Sequence, residues 1–318
     1  MQKFLIPFLF MTLLSFAQSK MEMKQLIDSE KFQGIINRID SFPTKFISPR
    51  TVDIWLPSDY SKSKKYSVIY MHDGQMLFDA TTTWNKQEWM IDDIITKLSV
   101  ENKIENVIVI AIWNIPTLRH TDLFPKKPLE NLTQVQHDLI LEKAQKFGYT
   151  FTFEAVNSDN YLKFIVEEVK PFVDANFSVY TDANHTAIMG SSMGGLISIY
   201  AICEYPKVFG KAACLSTHWI GFREFEDNPI PESFFSYMKE KLPNPKNHKL
   251  YFDYGTETLD TDYLKYEYRV DEILKEKGYD STNSKNLKFE GENHSEASWQ
   301  KRIHIPIEFM FGKYLNKN

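Results

Sequence analysis

The sequence predicts an α/β protein built on one mainly parallel sheet with helices on both faces. Short β-branched runs at 66–71 and 107–112 have the composition of strands buried on both sides. Stretches with apolar residues at helical spacing alternate with such runs along the chain. This alternation is typical of parallel, helix-covered sheets. No linker interrupts it, so residues 18–318 are expected to form a single domain.

The strands are expected in the following order. The segment 52–56 alternates apolar and polar residues and ends at Pro57, which is typical of an outer strand. After the two β-branched runs, further strands are expected at 187–189, 212–215, 250–252 and 287–289.

Helices are expected between these strands. The apolar spacing predicts helices over 88–98, 161–172, 196–205, 263–274 and 299–311. Pro206 ends the third of them, and Gly278 is placed to cap the fourth. The segment 116–157 has no clear strand pattern and carries three prolines. It is expected to be an insertion above the sheet, serving as a lid or a substrate wall.

The amino-terminal residues differ from the rest of the chain. Lys3 is followed by an apolar run and then by small residues that end at Ala17. This pattern predicts a secretory signal peptide at 1–17 and therefore a periplasmic or secreted protein. The run is shorter than the roughly 20 residues of a membrane span, and no later segment approaches that length. No membrane span is expected once the signal peptide is cleaved.

Composition excludes several other classes of protein. Hydrophobic residues make up 43% and charged residues 25% of the chain, which is the balance of a globular protein. The formal net charge is −5 and no basic run is present, so nucleic-acid binding is not expected. Cys203 and Cys214 lie in apolar segments and are expected to be buried thiols. No metal-ligand spacing occurs, so neither a metal nor an organic cofactor is expected. The sequence carries no signal for the oligomeric state.

Glycine is scarce, and its positions are informative. The chain has 12 glycines, and six of them follow predicted strands: Gly74, Gly190, Gly194, Gly195, Gly255 and Gly291. They mark four turns with polar neighbours. Because the carboxyl ends of parallel strands meet at one edge of the sheet, these four turns should converge in space.

One of these turns has the pattern of a nucleophile elbow. Gly190-x-Ser192-x-Gly194 lies between a predicted strand and a predicted helix, which is the context that this motif requires. Glycines two positions before and after the serine let strand and helix pass closely, and the hydroxyl projects above the sheet. Ser192 is therefore the candidate nucleophile.

A serine nucleophile needs a base and an acid, which follow it in the order acid, then histidine. His294 follows the last strand, close to Gly291, and is the candidate base. His218 follows an earlier strand at the same edge and is a candidate pocket residue. Glu257 and Asp260 both follow the strand at 250–252, with a slight preference for Glu257. Both remain candidates for the acid.

The oxyanion of an acyl-transfer reaction needs two backbone donors. The N–H of Met193, directly after the nucleophile, is one candidate. The other should come from the turn after the strand at 66–71, where Gln75 is the candidate. The neighbouring Asp73 could hold this turn through an Asx-type hydrogen bond.

Four blocks of the sequence resemble the esterase-D-like branch of the α/β-hydrolases, which includes feruloyl and acetyl-xylan esterases, enterobactin-type siderophore esterases and mycolyltransferases. These blocks are 69–75, 161–172, the elbow at 190–195, and 291–299. The resemblance implies an α/β-hydrolase fold and a serine esterase acting on carbohydrate or siderophore esters. Relatives often carry the acid at the position of Thr258, which cannot serve. Arg119 could match a substrate-binding arginine of the branch.

Two other functions fit the same pattern. An acyltransferase would use the same three residues with an alcohol in place of water. A carbohydrate-binding module of hydrolase fold would keep the pocket without catalysis.

Overall fold

The computed structural model describes residues 21–313, and the predicted signal peptide lies outside them. Nine strands form one sheet in the order β1-β2-β3-β5-β4-β6-β7-β8-β9. Their bounds are Lys24–Leu26 (β1), Ile35–Phe42 (β2), Arg50–Leu56 (β3), Ser67–His72 (β4), Val107–Ile112 (β5), Thr186–Ser191 (β6), Lys211–Leu215 (β7), Lys249–Tyr254 (β8) and Ser284–Lys288 (β9).

The sheet is parallel from β5 to β9 and antiparallel at its other end. The six strands β4 to β9 pair in parallel, whereas β1, β2 and β3 add antiparallel strands beyond β5. The predicted mainly parallel sheet is thus confirmed. The prediction that the segment 52–56 is an outer strand is wrong, because β2 and β1 lie outside it. A register shift between Ile39 and Phe42 disrupts the alternation that would have revealed β2.

Helices cover both faces of the sheet, as predicted. Their bounds are Ile91–Val100 (α1), Arg119–Leu123 (α2), Gln134–Lys146 (α3), Ser158–Lys163 (α4), Lys170–Asn176 (α5), Met193–Glu204 (α6), Ile230–Lys241 (α7), Leu264–Glu276 (α8), Glu296–Arg302 (α9) and His304–Phe311 (α10). A π-helical segment, Phe164–Val169, joins α4 to α5. Helices α1, α9 and α10 pack on one face, and α3, α4, α6, α7 and α8 pack on the other.

The segment 116–157 contributes more to the core than an insertion above the sheet would. Phe124, Leu129 and Ile140 are buried in the same hydrophobic cluster as α6 and α7. Only its beginning, near Pro116 and Arg119, reaches the cavity described below.

The chain order creates a crevice at the carboxyl edge of the sheet. Strands β4 and β6 are neighbours, and the connection after β4 leads to β5 on one side whereas the connection after β6 leads to β7 on the other. Ligands of open α/β sheets bind at such a switch point. The turns after β4 and β6 therefore meet where a substrate can enter. No helix within residues 21–313 is long and apolar enough to cross a membrane.

Candidate active site

Ser192 occupies a sharp turn between β6 and α6. Its φ of 56° and ψ of −121° lie outside the usual regions for a residue with a side chain. A β-carbon on Gly190 would lie 2.8 Å from backbone atoms of Gly194, so the two chain segments approach too closely for any other residue there. The strained turn and its two glycines are the geometry that the motif predicts.

Asp260 is the carboxylate that contacts His294. Its Oδ1 lies 2.5 Å from the imidazole Nδ1, and its Oδ2 accepts hydrogen bonds from Ser216 Oγ (2.7 Å) and Gly255 N (2.6 Å). The Asp260 side chain is fully buried. Burial alone would raise the pKa of Asp260, but the bonds from His294, Ser216 and Gly255 hold this pKa below its ordinary value.

Glu257, slightly preferred by the sequence analysis, lies elsewhere. Its side chain is exposed, and its backbone N–H donates to the carbonyl of Glu292 (3.1 Å). The turn Thr258–Asp262 carries Thr258 at a φ of 55°, and this bend directs Asp260 rather than Glu257 toward the imidazole. Thr258 Oγ1 accepts the backbone N–H of His294 at 3.0 Å. Thr258, which has no carboxyl group and cannot be the acid, thus helps to position the candidate base His294.

Ser192 and His294 line the same cavity of about 580 Å³. The structure therefore brings the candidate nucleophile and the candidate base to one face of the molecule. The His294 ring is held edge-on between Tyr263 and Trp299, with ring centroids 5.8 and 5.0 Å away. These contacts and the Asp260 bond fix the orientation of the imidazole.

The two candidate oxyanion donors lie at this crevice. Met193 is the first residue of α6, where backbone N–H groups have no partner within the helix and the helix dipole favours an anion. Gln75 lies in the short helical turn Gly74–Met76 and lines the cavity. Its side-chain Oε1 accepts the N–H of Asn114 at 3.1 Å, which ties this turn to the segment after β5.

Arg119 lines the cavity and makes a bidentate ion pair with Asp73. Its Nε and Nη2 donate to the two carboxylate oxygens at 2.8 and 2.7 Å, and Asn114 Nδ2 donates to Oδ1 at 2.6 Å. Asp73 therefore links two segments of the cavity wall, and its side chain makes no capping bond within its own turn, contrary to the Asx-type bond expected from sequence. Two of the Arg119 donors are occupied by this pair.

His218 does not line the cavity, contrary to the expectation from sequence. Its backbone N–H donates to the Ser192 carbonyl (3.2 Å), which places it behind the nucleophile. The buried imidazole Nδ1 lies 2.5 Å from the Tyr263 hydroxyl. Burial lowers the pKa of His218 well below its ordinary value and raises that of Tyr263, so the neutral imidazole accepts and the phenol donates.

Sequence reasoning missed Tyr263 and the loop 79–90. Tyr263 was assigned only to the apolar stripe of a helix, yet its ring packs on His294 and its hydroxyl bonds His218. Trp84, Asn85 and Gln87 line the cavity far from any motif in the sequence. The signal that the sequence offered for this loop was a tryptophan, Trp84, outside any predicted strand or helix.

A second cavity, of about 640 Å³, is separate from this site. It lies at the opposite edge of the sheet, where Lys211 and Lys249 begin β7 and β8. It contains none of the predicted site residues.

Among residues 21–313, no group of three or more His, Cys, Asp or Glu side chains is arranged to hold a metal ion. Cys203 and Cys214 are buried free thiols, as predicted.

A family model described as "Putative esterase" matches residues 44–117 and 140–305 of the chain. The chain belongs to this esterase family. The unmatched stretch between the two blocks falls within the predicted insertion.

The esterase is similar to several other proteins. YbbA of Bacillus subtilis (strain 168) is 23% identical over 272 residues, which cover 83% of the chain and 93% of YbbA. An endo-1,4-beta-xylanase/feruloyl esterase of Xylanibacter ruminicola is 23% identical over 64% of the chain and 22% of that protein. A siderophore enterobactin esterase of Emericella nidulans is 27% identical over 51% of the chain and 50% of that protein.

Solved structures establish the fold of the esterase. A ferulic acid esterase from Anaeromyces mucronatus superimposes with a TM-score of 0.57 at 17% identity, covering 92% of the chain and 99% of that structure. The enterobactin esterase from Shigella flexneri reaches a TM-score of 0.62 at 14% identity, covering 89% of the chain and 61% of that structure. The esterase therefore has the predicted α/β-hydrolase fold and is a carboxylic ester hydrolase of the resembled branch.

Proposed function

We propose that the protein is an exported serine esterase in which Ser192, His294 and Asp260 form the catalytic triad. The observation that carries this proposal is the Asp260–His294 hydrogen bond beside a cavity that also exposes Ser192. Arg119, Gln75 and Met193 surround the same entrance. Family membership supports the ester-hydrolase activity, and the geometry supports this choice of residues.

In the proposed reaction, Ser192 Oγ attacks the ester carbonyl while His294 Nε2 removes its proton. Asp260 stabilises the imidazolium through Nδ1–H and keeps the ring in the required tautomer. The backbone N–H groups of Met193 and Gln75 would stabilise the negative charge on the tetrahedral intermediate. His294 then returns the proton to the leaving alcohol oxygen as the C–O bond breaks, leaving an acyl-enzyme on Ser192.

Water completes the cycle by the same steps. It attacks the acyl carbon and gives its proton to His294, and the carboxylic acid leaves as Ser192 Oγ is reprotonated. The serine proton leaves with the alcohol and a proton from water replaces it, so both transfers pass through His294 and the net reaction is ester plus water to alcohol plus carboxylic acid.

The substrates are proposed to be carbohydrate or siderophore esters outside the cytoplasm. Support for this class comes from the names of relatives, one a xylanase/feruloyl esterase and another an enterobactin esterase. Support for export comes from the signal-peptide pattern at 1–17. Mass measurement of the protein recovered from the host envelope or medium tests it. A mature chain beginning near Gln18 is expected, and an intact amino terminus would contradict export.

The test of the mechanism compares two adjacent serines. Ser192→Ala should lower kcat for p-nitrophenyl acetate by roughly 10⁴-fold or more. Ser191→Ala is the matched control, because Ser191 ends β6 one position before the turn, and it should retain most activity. A fluorophosphonate should add one adduct to the wild type, mapped to Ser192, and none to Ser192→Ala. Full turnover by Ser192→Ala would refute the proposal.

A further inference from the structure

The cavity has an exposed aromatic side chain at its rim. Trp84 lines the cavity and is 84% exposed, the highest value among the large apolar side chains of residues 21–313. Tryptophan combines a large apolar ring with a polar N–H, which suits it to contact a ligand that has both apolar and polar groups. Its position beside the candidate triad makes Trp84 the part of this surface that requires an explanation.

The loop that carries Trp84 is anchored to the segment that follows His294. Asn85 Nδ2 donates to Glu296 Oε2 at 2.6 Å, and the backbone N–H of Ala297 donates to Gln87 Oε1 at 3.1 Å. Trp89 from the same loop packs on Trp299, with ring centroids 5.5 Å apart. The backbone that follows Trp84 is thus fixed, and the exposed indole itself is open to contact by a ligand.

These anchors place Trp84 on the side of the cavity where the leaving alcohol departs. His294 must deliver a proton to that alcohol, so the alcohol lies toward the His294 loop and away from the oxyanion donors. Both side-chain hydrogen bonds from Asn85 and Gln87 go to residues just after His294, whereas the backbone N–H of Trp89, further along the loop, donates to the Met76 carbonyl at 3.0 Å. The acyl carbonyl, by contrast, faces Gln75 and Met193.

The charge and polarity of the wall favour a neutral, hydroxyl-rich group. The cavity holds the carboxylates of Asp73 and Glu296 against the single guanidinium of Arg119, which is already paired with Asp73. An anionic ligand would meet net negative charge there. Amide side chains such as those of Asn85 and Gln87 both donate and accept hydrogen bonds, as sugar hydroxyls require.

We infer that Trp84 is a stacking platform for a saccharide on the alcohol side of the ester, so that the esterase favours acylated sugars over anionic siderophore esters. The apolar face of a pyranose ring packs on the indole, and its hydroxyls meet the amides and the Glu296 carboxylate. This inference rests on the proposed function, because it assumes that the alcohol leaves beside His294.

The test varies the alcohol while the acyl group stays constant. For Trp84→Ala, the ratio of kcat/KM on acetylated xylotriose to kcat/KM on methyl acetate should fall roughly tenfold, mainly through KM, because a lost contact worth 1.4 kcal/mol is a factor of ten. Trp84→Phe keeps a platform and should recover most of the ratio. Tyr268→Ala, which removes an exposed aromatic residue on α8, is the matched control and should leave the ratio unchanged.

Other results would overturn the inference. An unchanged ratio in Trp84→Ala would exclude the platform, and so would an equal loss on both esters. A loss confined to methyl ferulate would place the stacked ring on the acyl side. Calorimetric titration of Ser192→Ala with xylotriose separates this failure from that of the proposed function. Binding that depends on Trp84, in a protein whose wild type hydrolyses no ester, would refute the esterase mechanism and keep the saccharide site.

Discussion

Two buried carboxyl groups that flank Tyr263 in the sequence, those of Asp260 and Glu267, have pKa values shifted in opposite directions. Asp260 is 0% exposed and Glu267 is 2% exposed, so neither carboxyl reaches solvent. Asp260 accepts hydrogen bonds from His294, Ser216 and Gly255, and these hold its pKa below the ordinary value. Burial raises the pKa of Glu267 to about 8, against the lowering effect of hydrogen bonds from Trp219 Nε1 (3.1 Å) and Asn286. The bonded imidazole of His294, together with two further donors, outweighs burial at Asp260, whereas burial prevails at Glu267, whose two donors are uncharged side chains and which is held neutral.

Replacing Asp260 should have the largest effect. Asp260→Asn keeps the shape but removes the charge that stabilises the His294 imidazolium, so kcat for p-nitrophenyl acetate should fall by roughly 10³- to 10⁴-fold. Glu257→Gln, which changes an exposed carboxylate in the same turn, is the control and should stay within about threefold of the wild type. Equal, small losses in both variants would mean that neither residue is the acid.

Removing one hydrogen-bond donor to Asp260 should raise the pKa of Asp260 and so shift it toward that of Glu267. Ser216 Oγ donates to Asp260 and accepts from Trp299 Nε1 and Arg302 Nη2, both at 3.0 Å. Ser216→Ala should raise the pKa of Asp260, so activity should be lost at a higher pH on the acid side. Leaving the buried Trp299 donor unpaired, and Arg302 Nη2 with only its bond to Asp253 (3.0 Å), should also lower the free energy of unfolding by about 1–3 kcal/mol.

The pH profile of kcat/KM and urea unfolding check this prediction. Ser198→Ala removes a buried serine that bonds only the Gly194 carbonyl of its own helix, and it should leave the acid limb in place. An acid limb that does not move in Ser216→Ala would show that Ser216 does not control Asp260 ionisation.

The contrast also explains what the sequence could predict. Ser192 and its glycines follow from a local motif, because strand, turn and helix are contiguous. The choice between Glu257 and Asp260 depends on the left-handed backbone at Thr258, and threonine has no preference for that conformation. Backbone propensity therefore could not distinguish Asp260 from Glu257 as the acid.

Long-range contacts account for most of what the sequence left unassigned. The hydrogen bond from Asn85 to Glu296 joins residues that are far apart in the chain, so no local pattern places Trp84 at the cavity. Strand β2 was missed because its bulge breaks the two-residue alternation. The buried strands β4 and β5 were predicted well, since burial on both faces leaves a continuous β-branched run.

Tyr263 lies between the two carboxylates in the sequence. Its replacement should have a smaller effect on activity than Asp260→Asn or Ser216→Ala. Tyr263→Phe removes the donor to His218 Nδ1 while keeping the ring against His294. Unfolding free energy should fall by about 1–2 kcal/mol, and kcat should fall only a few-fold, because the change removes a hydrogen bond between the Tyr263 hydroxyl and Ser192 but keeps the Asp260–His294 contact. Tyr279→Phe, whose hydroxyl bonds the Pro243 carbonyl, is the control for stability without a change in kcat. A loss of kcat as large as that of Asp260→Asn would place Tyr263 in the chemical step.

Glu267 should have the smallest effect on turnover and a pH-dependent effect on stability. Its folded pKa of about 8 lies above the unfolded value of 4.5, so the folded state binds the extra proton between these values. The wild type should therefore lose stability as pH rises from 4.5 through 8, and Glu267→Gln, which stays neutral, should lose less. The advantage of the variant should be near zero at pH 4 and on the order of 5 kcal/mol at pH 9, because the folded and unfolded pKa values differ by about 3.5 and each pKa unit is worth about 1.36 kcal/mol, with kcat unchanged. Urea unfolding at these two pH values measures it; an advantage that is equal at both would mean that Glu267 does not titrate in this range, and the comparison with Asp260 would lose its basis.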